Sequence, residues 1–378
     1  MKTIKLLSII LITAFLFTSC EQCSNKRDEG VIKIGVILPL TGPVAEPGNN
    51  ALNGIKVAVE QFNRKNARKI VLIIEDSKSN SKDGVSAINK LIEVDKTKII
   101  IGDIMSSVFL ACAPIAEKNK VVLISPGASN PKVRDAGDYI FRDYLSDDFD
   151  GQVMANYLFK SLNKKNVCII AVNNDYGIGV ENTFTSNFVA LGGEVSLRVK
   201  YEQGQIDFKS ILIKIRNAKP EVLYIVGNPV GNGNIVKQMK EMNISIPITG
   251  NLSFENEEFI KVAKGSFDSI IFSAPYFDLK VDNDLVKSFV KDYLFMIKKE
   301  PDIAASLGYD VTQILIVTIQ NSKFDLSNVK DKLYRIKNFR GVTGNTSINS
   351  KGDVLKDVYI KKISGNGDIY IVKLFSIN

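Results

Sequence analysis

Five short loops concentrate the side chains able to do chemistry. Ser106 and Ser107 follow the apolar run Lys98 to Ile101 and open the helical pattern of Val108, Ala111 and Ile115. Ser125-Pro-Gly127-Ala-Ser129 closes the run Val121 to Ile124, and Asn173-Asn-Asp175-Tyr176-Gly-Ile-Gly179 closes Val167 to Val172. Pro39 to Pro47 and Gly227-Asn228-Pro-Val-Gly231 end two further runs. Hydroxyls, amides, glycines and one tyrosine are hydrogen-bonding groups rather than nucleophile–base pairs. A helix start offers unpaired N–H groups and a positive dipole end, so Ser106 and Ser107 suit an anion without a cationic side chain. Ser106 capping its own helix is an equal reading of the same residues. Tyr176 combines apolar area with a hydroxyl, as a pocket wall does, and could equally pack on its own helix start.

Catalytic classes lack their parts. The chain has no histidine and no tryptophan, which removes the commonest general base and metal ligand. There is no G-x-S-x-G elbow, and Asn182 and Val236 spoil both G-x-G-x-x-G frames. Asp147, Asp148 and Asp150 do not have EF-hand spacing and read as solvated residues at a domain crossing. The expectation is a non-enzymatic protein without cofactor or metal.

The N-terminus carries an address. Lys2 and Lys5 precede an apolar run from Leu6 to Phe17, too short to span a bilayer, and Thr18-Ser19 precede Cys20. This is the pattern of a lipoprotein signal peptide over residues 1–20, with lipid attached at Cys20 and a polar tether over 21–30. Cys112 and Cys168 lie in apolar runs and read as buried free thiols. No further apolar stretch appears long enough to span a membrane. The formal charge of +8 comes from lysines scattered among acids, which fits a solvated surface rather than a nucleic-acid stripe.

Strands must position these loops. From residue 31 apolar runs alternate with helical spacing, through Ile32 to Leu38, Ile70 to Ile74, Lys98 to Ile101 and Val121 to Ile124. Asn49 and Asn50 read as caps of the first helix. The rhythm restarts after Asp150 with Val167 to Val172, Glu194 to Lys200, Val222 to Val226, Ile246 to Thr249 and Ile270 to Phe272. At 378 residues a single core is unexpected, and two doubly wound parallel sheets in tandem fit best. Leu285 to Ile336 reads as helical, and Val358 to Phe375 as a hairpin about Ser364-Gly-Asn-Gly367. In such sheets ligands bind beyond the carboxyl ends of the strands, where the five loops lie.

Thr41-Gly42-Pro43, Ser106-Ser107, Ser125-Pro-Gly-Ala-Ser129, Asp175-Tyr176-Gly177-x-Gly179 and Gly341-Val-Thr-Gly344…Gly352-Asp353, in this order over residues 31–378, resemble the leucine/isoleucine/valine-type substrate-binding proteins of ABC importers. The resemblance implies the α/β type I periplasmic binding protein fold, with two lobes joined by a three-strand hinge. Crossings near residues 145, 275 and 342 would give one lobe of 31–145 plus 276–342 and another of 146–275 plus 343–378. The expected protein is a monomer outside the cytoplasm, which the leader and Cys20 would anchor by lipid to the cell envelope. Its partners would be a small-molecule solute (an amino acid, or a small carboxylate or amide), a membrane permease and, through lipid, the membrane, with no nucleic acid. The resemblance places a ligand carboxylate at Ser106 and Ser107 and an ammonium at the Gly127 carbonyl and the Ser129 hydroxyl, with Tyr176 and Asn228 closing across them. Two departures stand out. Gly250-Asn251-Leu252-Ser253 lacks the acid expected to meet an ammonium, and Pro47 replaces a pocket aromatic. The nearest acids, Glu255, Glu257 and Glu258, read rather as the start of the next helix, with Glu255 or Glu257 the first candidate for such a partner. A sensing receptor feeding a separate signalling partner is the alternative with the same fold.

Overall fold

In a computed structural model that describes residues 30–375, the chain opens on β1 (Val31–Leu38), α1 (Ala45–Lys65), β2 (Lys69–Asp76), α2 (Ser81–Glu93), β3 (Ile99–Gly102), α3 (Ser106–Lys118), β4 (Val122–Ser125) and β5 (Ile140–Arg142). These strands form a sheet in the order β2-β1-β3-β4-β5, every pair parallel. Continuous apolar runs such as Ile99–Gly102, buried throughout, are what a parallel sheet covered on both faces requires.

A second unit repeats the winding with α4 (Asp147–Asn156), β6 (Asn166–Val172), α5 (Asp175–Ala190), β7 (Glu194–Tyr201), α6 (Lys209–Ala218), β8 (Val222–Val226), α7 (Pro229–Glu241), β9 (Ile248–Asn251), α8 (Glu257–Ala263) and β10 (Ser269–Pro275). Strands β7-β6-β8-β9-β10 are parallel in the pattern of the first sheet. The chain then returns to the first unit with α9 (Asp284–Ile297), α10 (Ile303–Asn321), α11 (Val329–Leu333) and a small antiparallel sheet of β11 (Phe339–Gly341), β12 (Gly344–Ile348) and β13 (Val354–Leu355). It ends with β14 (Val358–Ser364) and β15 (Ile369–Phe375), which extend the second sheet antiparallel from β10.

The cores show where the chain changes lobe. Phe141 packs in the first lobe and Leu145 in the second; Ala274 belongs to the second and Val281 to the first. Val342, Ile348 and Val354 stay in the first-lobe core, and only Val358 enters the second. The third passage therefore falls at residues 355–357 rather than near 342. Gly341 and Gly344 pair across the β11–β12 turn, so at the position where the resemblance implied a crossing the chain forms a hairpin.

Helix α10 is 19 residues long and apolar enough to cross a membrane by composition, a stretch that the sequence reading passed over. It is a core helix, largely buried. A Cβ at Gly54 of α1 would sit 1.8 Å from the Ala305 carbonyl oxygen, and one at Gly308 would sit 2.2 Å from that of Ala51. The two helices thus meet backbone to backbone where only hydrogen fits. Helix α1 begins at Ala45 after Val44, so Asn49 and Asn50 lie inside it rather than capping it. Cys112 and Cys168 are buried free thiols. Cys20 and residues 1–29 lie outside the described residues.

Candidate functional site

The loops at the carboxyl ends of both sheets meet in one cavity between the lobes, with about 180 Å³ open to the centre of a water-sized sphere. Ser106, Ser107, Gly127, Ser129, Tyr176 and Asn228 all line it. Most other wall residues are apolar, among them Val44, Pro47, Ile104, Met105, Val172, Leu252, Ile303 and Leu307.

Six helices, α1, α3, α5, α7, α8 and α10, have their N-cap or first residues in this wall. Helix α3 has Met105 as its N-cap with no capping side chain, so its first N–H groups keep no side-chain partner from the cap. Ser106 is therefore the first helical residue and not the cap. Its Oγ instead accepts from the backbone N–H groups of Ser129 (3.2 Å) and Asn130 (3.1 Å). Asn174 and Asn228 do cap α5 and α7, their Oδ1 atoms accepting from Gly177 N (2.9 Å) and Gly231 N (2.8 Å). The Asn228 carbonyl is thereby committed to its own helix.

A buried framework holds the first-lobe loops. Asp103 accepts from Ser77 Oγ (2.5 Å) and Met105 N (2.7 Å), while Ser125 Oγ donates to the Asp103 carbonyl (2.6 Å) and accepts from Ala128 N (2.7 Å). Burial pushes the Asp103 carboxyl up to about 7 against these hydrogen bonds. Arg142, fully buried, donates from Nε to Asp353 Oδ1 (2.5 Å) and from Nη1 to the carbonyls of Ser129 (2.8 Å) and Asn130 (3.0 Å). One guanidinium thus ties the loop of Ser129 to the strand that leads into the hinge. Beside it Lys356, of the third passage, bridges Asp143 (2.9 Å) and Thr343 Oγ1 (2.9 Å), and Thr343 donates to Asp310 (2.5 Å).

Asp147, read from sequence as solvated, is buried at the start of α4. Its carboxyl is pushed up to about 8, by burial first and by Asp150 second, against the pull of Ser129 and Arg142. Burial likewise raises Asp150 to about 6. Glu255 lines the cavity, and both its oxygens accept from Lys361 Nζ at 2.8 and 2.7 Å. Burial pushes its carboxyl up while Lys361 pulls it down. Glu257 is exposed, faces Lys261 at 3.8 Å and is not part of the wall. Tyr176 is half-buried, its hydroxyl accepting from Asn251 Nδ2 (2.5 Å).

Hydrogen bonds join the lobes around the cavity. Asn130 Nδ2 donates to the Asp175 carbonyl, Gln203 Nε2 to the Ser79 carbonyl (3.2 Å) and Asn256 Nδ2 to Glu46 Oε2 (2.8 Å). Arg134 pairs with Asp148 across the same gap. The lobes are closed on each other. Sequence reasoning missed Arg142, Asp103 and Lys361, all of which act through partners remote in the chain.

The chain is similar in sequence and in fold to known binding proteins. The chain is 28% identical over 275 residues to the Leu/Ile/Val-binding protein BraC3 of Rhizobium johnstonii, covering 72% of this chain and 73% of that one. It superposes on a leucine binding protein, LivK, from Thermotoga maritima with a TM-score of 0.86 at 29% identity, covering 91% of this chain and 99% of that one. The branched-chain amino acid transporter substrate binding protein LivJ from Streptococcus pneumoniae, in complex with isoleucine, gives a TM-score of 0.83 at 27% identity, with 91% and 99% covered. The fold is that of type I periplasmic binding proteins, as the sequence resemblance implied. The periplasmic binding protein pattern matches residues 31–368, and the chain belongs to that family.

Proposed function

We propose that the chain is the extracytoplasmic solute-binding component of an ABC importer. It takes a small amino acid of branched-chain type, or a related carboxylate or amide, between its closing lobes, and is held to the envelope by lipid on Cys20. The observation that carries this reading is the interlobe cavity, where several helix starts, the serine and tyrosine hydroxyls and an apolar wall converge without a cationic side chain. Helix starts hold an anionic group, and the apolar wall accepts an aliphatic or aromatic body.

In this mechanism the open form receives solute on the first lobe, the carboxylate meeting the N–H groups at the start of α3 beside Ser106 and Ser107. Gly127 and Ser129 border the other end. Closure brings Tyr176 and the starts of α5 and α7 over the solute, and the rim bonds from Gln203 and Asn256 then form. Exclusion of water strengthens each polar contact in the cleft. A permease reads the closed surface, while the protein itself does no chemistry on the solute. The names of the relatives, Leu/Ile/Val-binding and branched-chain amino acid transporter substrate binding, support the solute size and the importer role.

A thermal-shift screen of the purified chain against amino acids, small carboxylates and amides tests the reading. A bound solute raises Tm in proportion to the logarithm of its concentration over Kd. A folded protein whose Tm is indifferent to every member of the three classes contradicts it.

A further inference from the structure

Among the described residues that line the cavity, Glu255 is the one with a formal charge, and that charge is already answered. Lys361, 1% exposed on β14, places its ammonium 2.8 and 2.7 Å from the two Glu255 oxygens. Ion pairs on an exposed surface are incidental. This one is enclosed, with Glu255 8% exposed, and it forms between residues 106 positions apart. Lys361 also lies 5.8 Å from the centroid of the Phe277 ring, a second contact that fixes its position.

The pair decides what charge the cavity accepts. An α-ammonium brought to Glu255 would gain from the carboxylate at hydrogen-bond distance but meet the Lys361 ammonium just behind it. The attraction is largely cancelled while the cost of stripping water from the ammonium remains. The positive ends of α3, on the first lobe, and of α5 and α7, on the second, favour a negative group and disfavour a positive one. Other acids near the wall residues are engaged by protein groups, Glu46 with Asn256 and Asp302 with the start of α10, and neither lines the cavity. The cavity therefore has provision for one negative charge and a neutral, hydrogen-bonding remainder.

We propose that Lys361, by neutralising Glu255, sets the solute class of the cleft: a small carboxylate with an apolar body and no ammonium group. This rests on the reading that the cleft binds a small solute. Lys361 acts through Glu255 and is a specificity-determining residue without touching the solute. Glu255 offers the solute hydrogen-bond acceptors with no net charge behind them.

The test is a calorimetric comparison of matched pairs, leucine with 4-methylpentanoate and phenylalanine with 3-phenylpropanoate, on three forms of the protein. For the wild type the des-amino acid of at least one pair should bind at least as tightly as its amino acid. Lys361→Met leaves Glu255 as the lone acid in the wall, and the preference should swing by tenfold or more toward the amino acid. Glu255→Gln with Lys361→Met removes both charges at nearly constant volume and should return the preference to within threefold of the wild type. If Lys361→Met does not fold, Lys361→Gln, which removes the charge but keeps a donor for Glu255, takes its place and should show the same swing. An amino acid bound more than tenfold tighter than its des-amino partner by the wild type overturns the proposal while leaving the solute-binding reading intact. An unchanged preference in folded Lys361→Met overturns the role of Lys361. Binding of neither class by any form refutes the solute class together with the cleft reading beneath it.

Discussion

Replacing Arg142 by methionine should injure the protein more than any other single change near the cleft. The guanidinium is fully buried and makes the 2.5 Å contact with Asp353 and the 2.8 and 3.0 Å contacts with the Ser129 and Asn130 carbonyls. Methionine keeps the apolar stem and removes all of them. Breaking one side of a buried pair costs about 3 to 5 kcal/mol, because the partner charge stays behind. The orphaned carbonyls lie within the same estimate, since the loop can relax toward water once the tie is gone. At roughly 2 °C per kcal/mol for a chain of this size, Tm should fall by about 6 to 10 °C. Differential scanning calorimetry reads the shift. Arg142→Met combined with Asp353→Leu removes the abandoned carboxylate and should recover a good part of the loss. A single variant that loses less than about 1 kcal/mol, on the scale of an ordinary surface change, would refute the reasoning. So would a double variant less stable than the single one.

Three further outcomes are expected. Ser106→Ala removes the acceptor for the Ser129 and Asn130 N–H groups, loosening the loop that borders the cavity, so calorimetry on a solute found by screening should show affinity weakened by about 1 to 3 kcal/mol; unaltered affinity would separate that loop from binding. Asp147, raised to about 8 in the fold against about 3.9 unfolded, holds its proton longer in the folded state, so its contribution to stability is present at low pH and is lost as pH rises from about 4 to about 8. Asp150, raised to about 6, adds in the same sense below that pH. Urea midpoints should therefore fall between pH 5 and pH 8, and Asp147→Asn should flatten the fall; an equal slope in the variant would count against the buried carboxyl. Wild-type protein should partition into detergent phase and label with a fatty-acid probe, and Cys20→Ala should do neither; a variant that still labels would refute attachment at Cys20.

Much of the architecture is legible in the chain because parallel sheets demand uninterrupted apolar strands. Runs such as Ile32 to Leu38 and Val222 to Val226 can scarcely be anything else. The site loops are legible for a related reason: winding places the strand carboxyl ends of each sheet on one edge. The facing of the two edges, which brings Ser106, Gly127 and Ser129 to Tyr176 and Asn228, is set by the lobes and not by any local pattern. The third passage falls beyond 342, where the resemblance implied it, because the chain first forms the β11–β12 hairpin and keeps Ile348 and Val354 in the first-lobe core. Pairs such as Arg142 with Asp353 and Glu255 with Lys361 are separated by 211 and 106 positions, and no local pattern announces a charge that will be buried. Asp147 shows the same limit, since three acids in four positions look solvated until the sheet they abut is known.

The central claim is that the cleft closes on a solute. The direct measurement is the radius of gyration from X-ray scattering, with and without a saturating concentration of a solute that raises Tm. The account predicts compaction, because a solute that bonds both lobes binds the closed form in preference to the open one and shifts the population by that difference in affinity. Gln203→Ala with Asn256→Ala, which removes two of the rim bonds, should lessen the compaction. A radius unchanged by a solute that is demonstrably bound would contradict closure as the basis of binding in this protein.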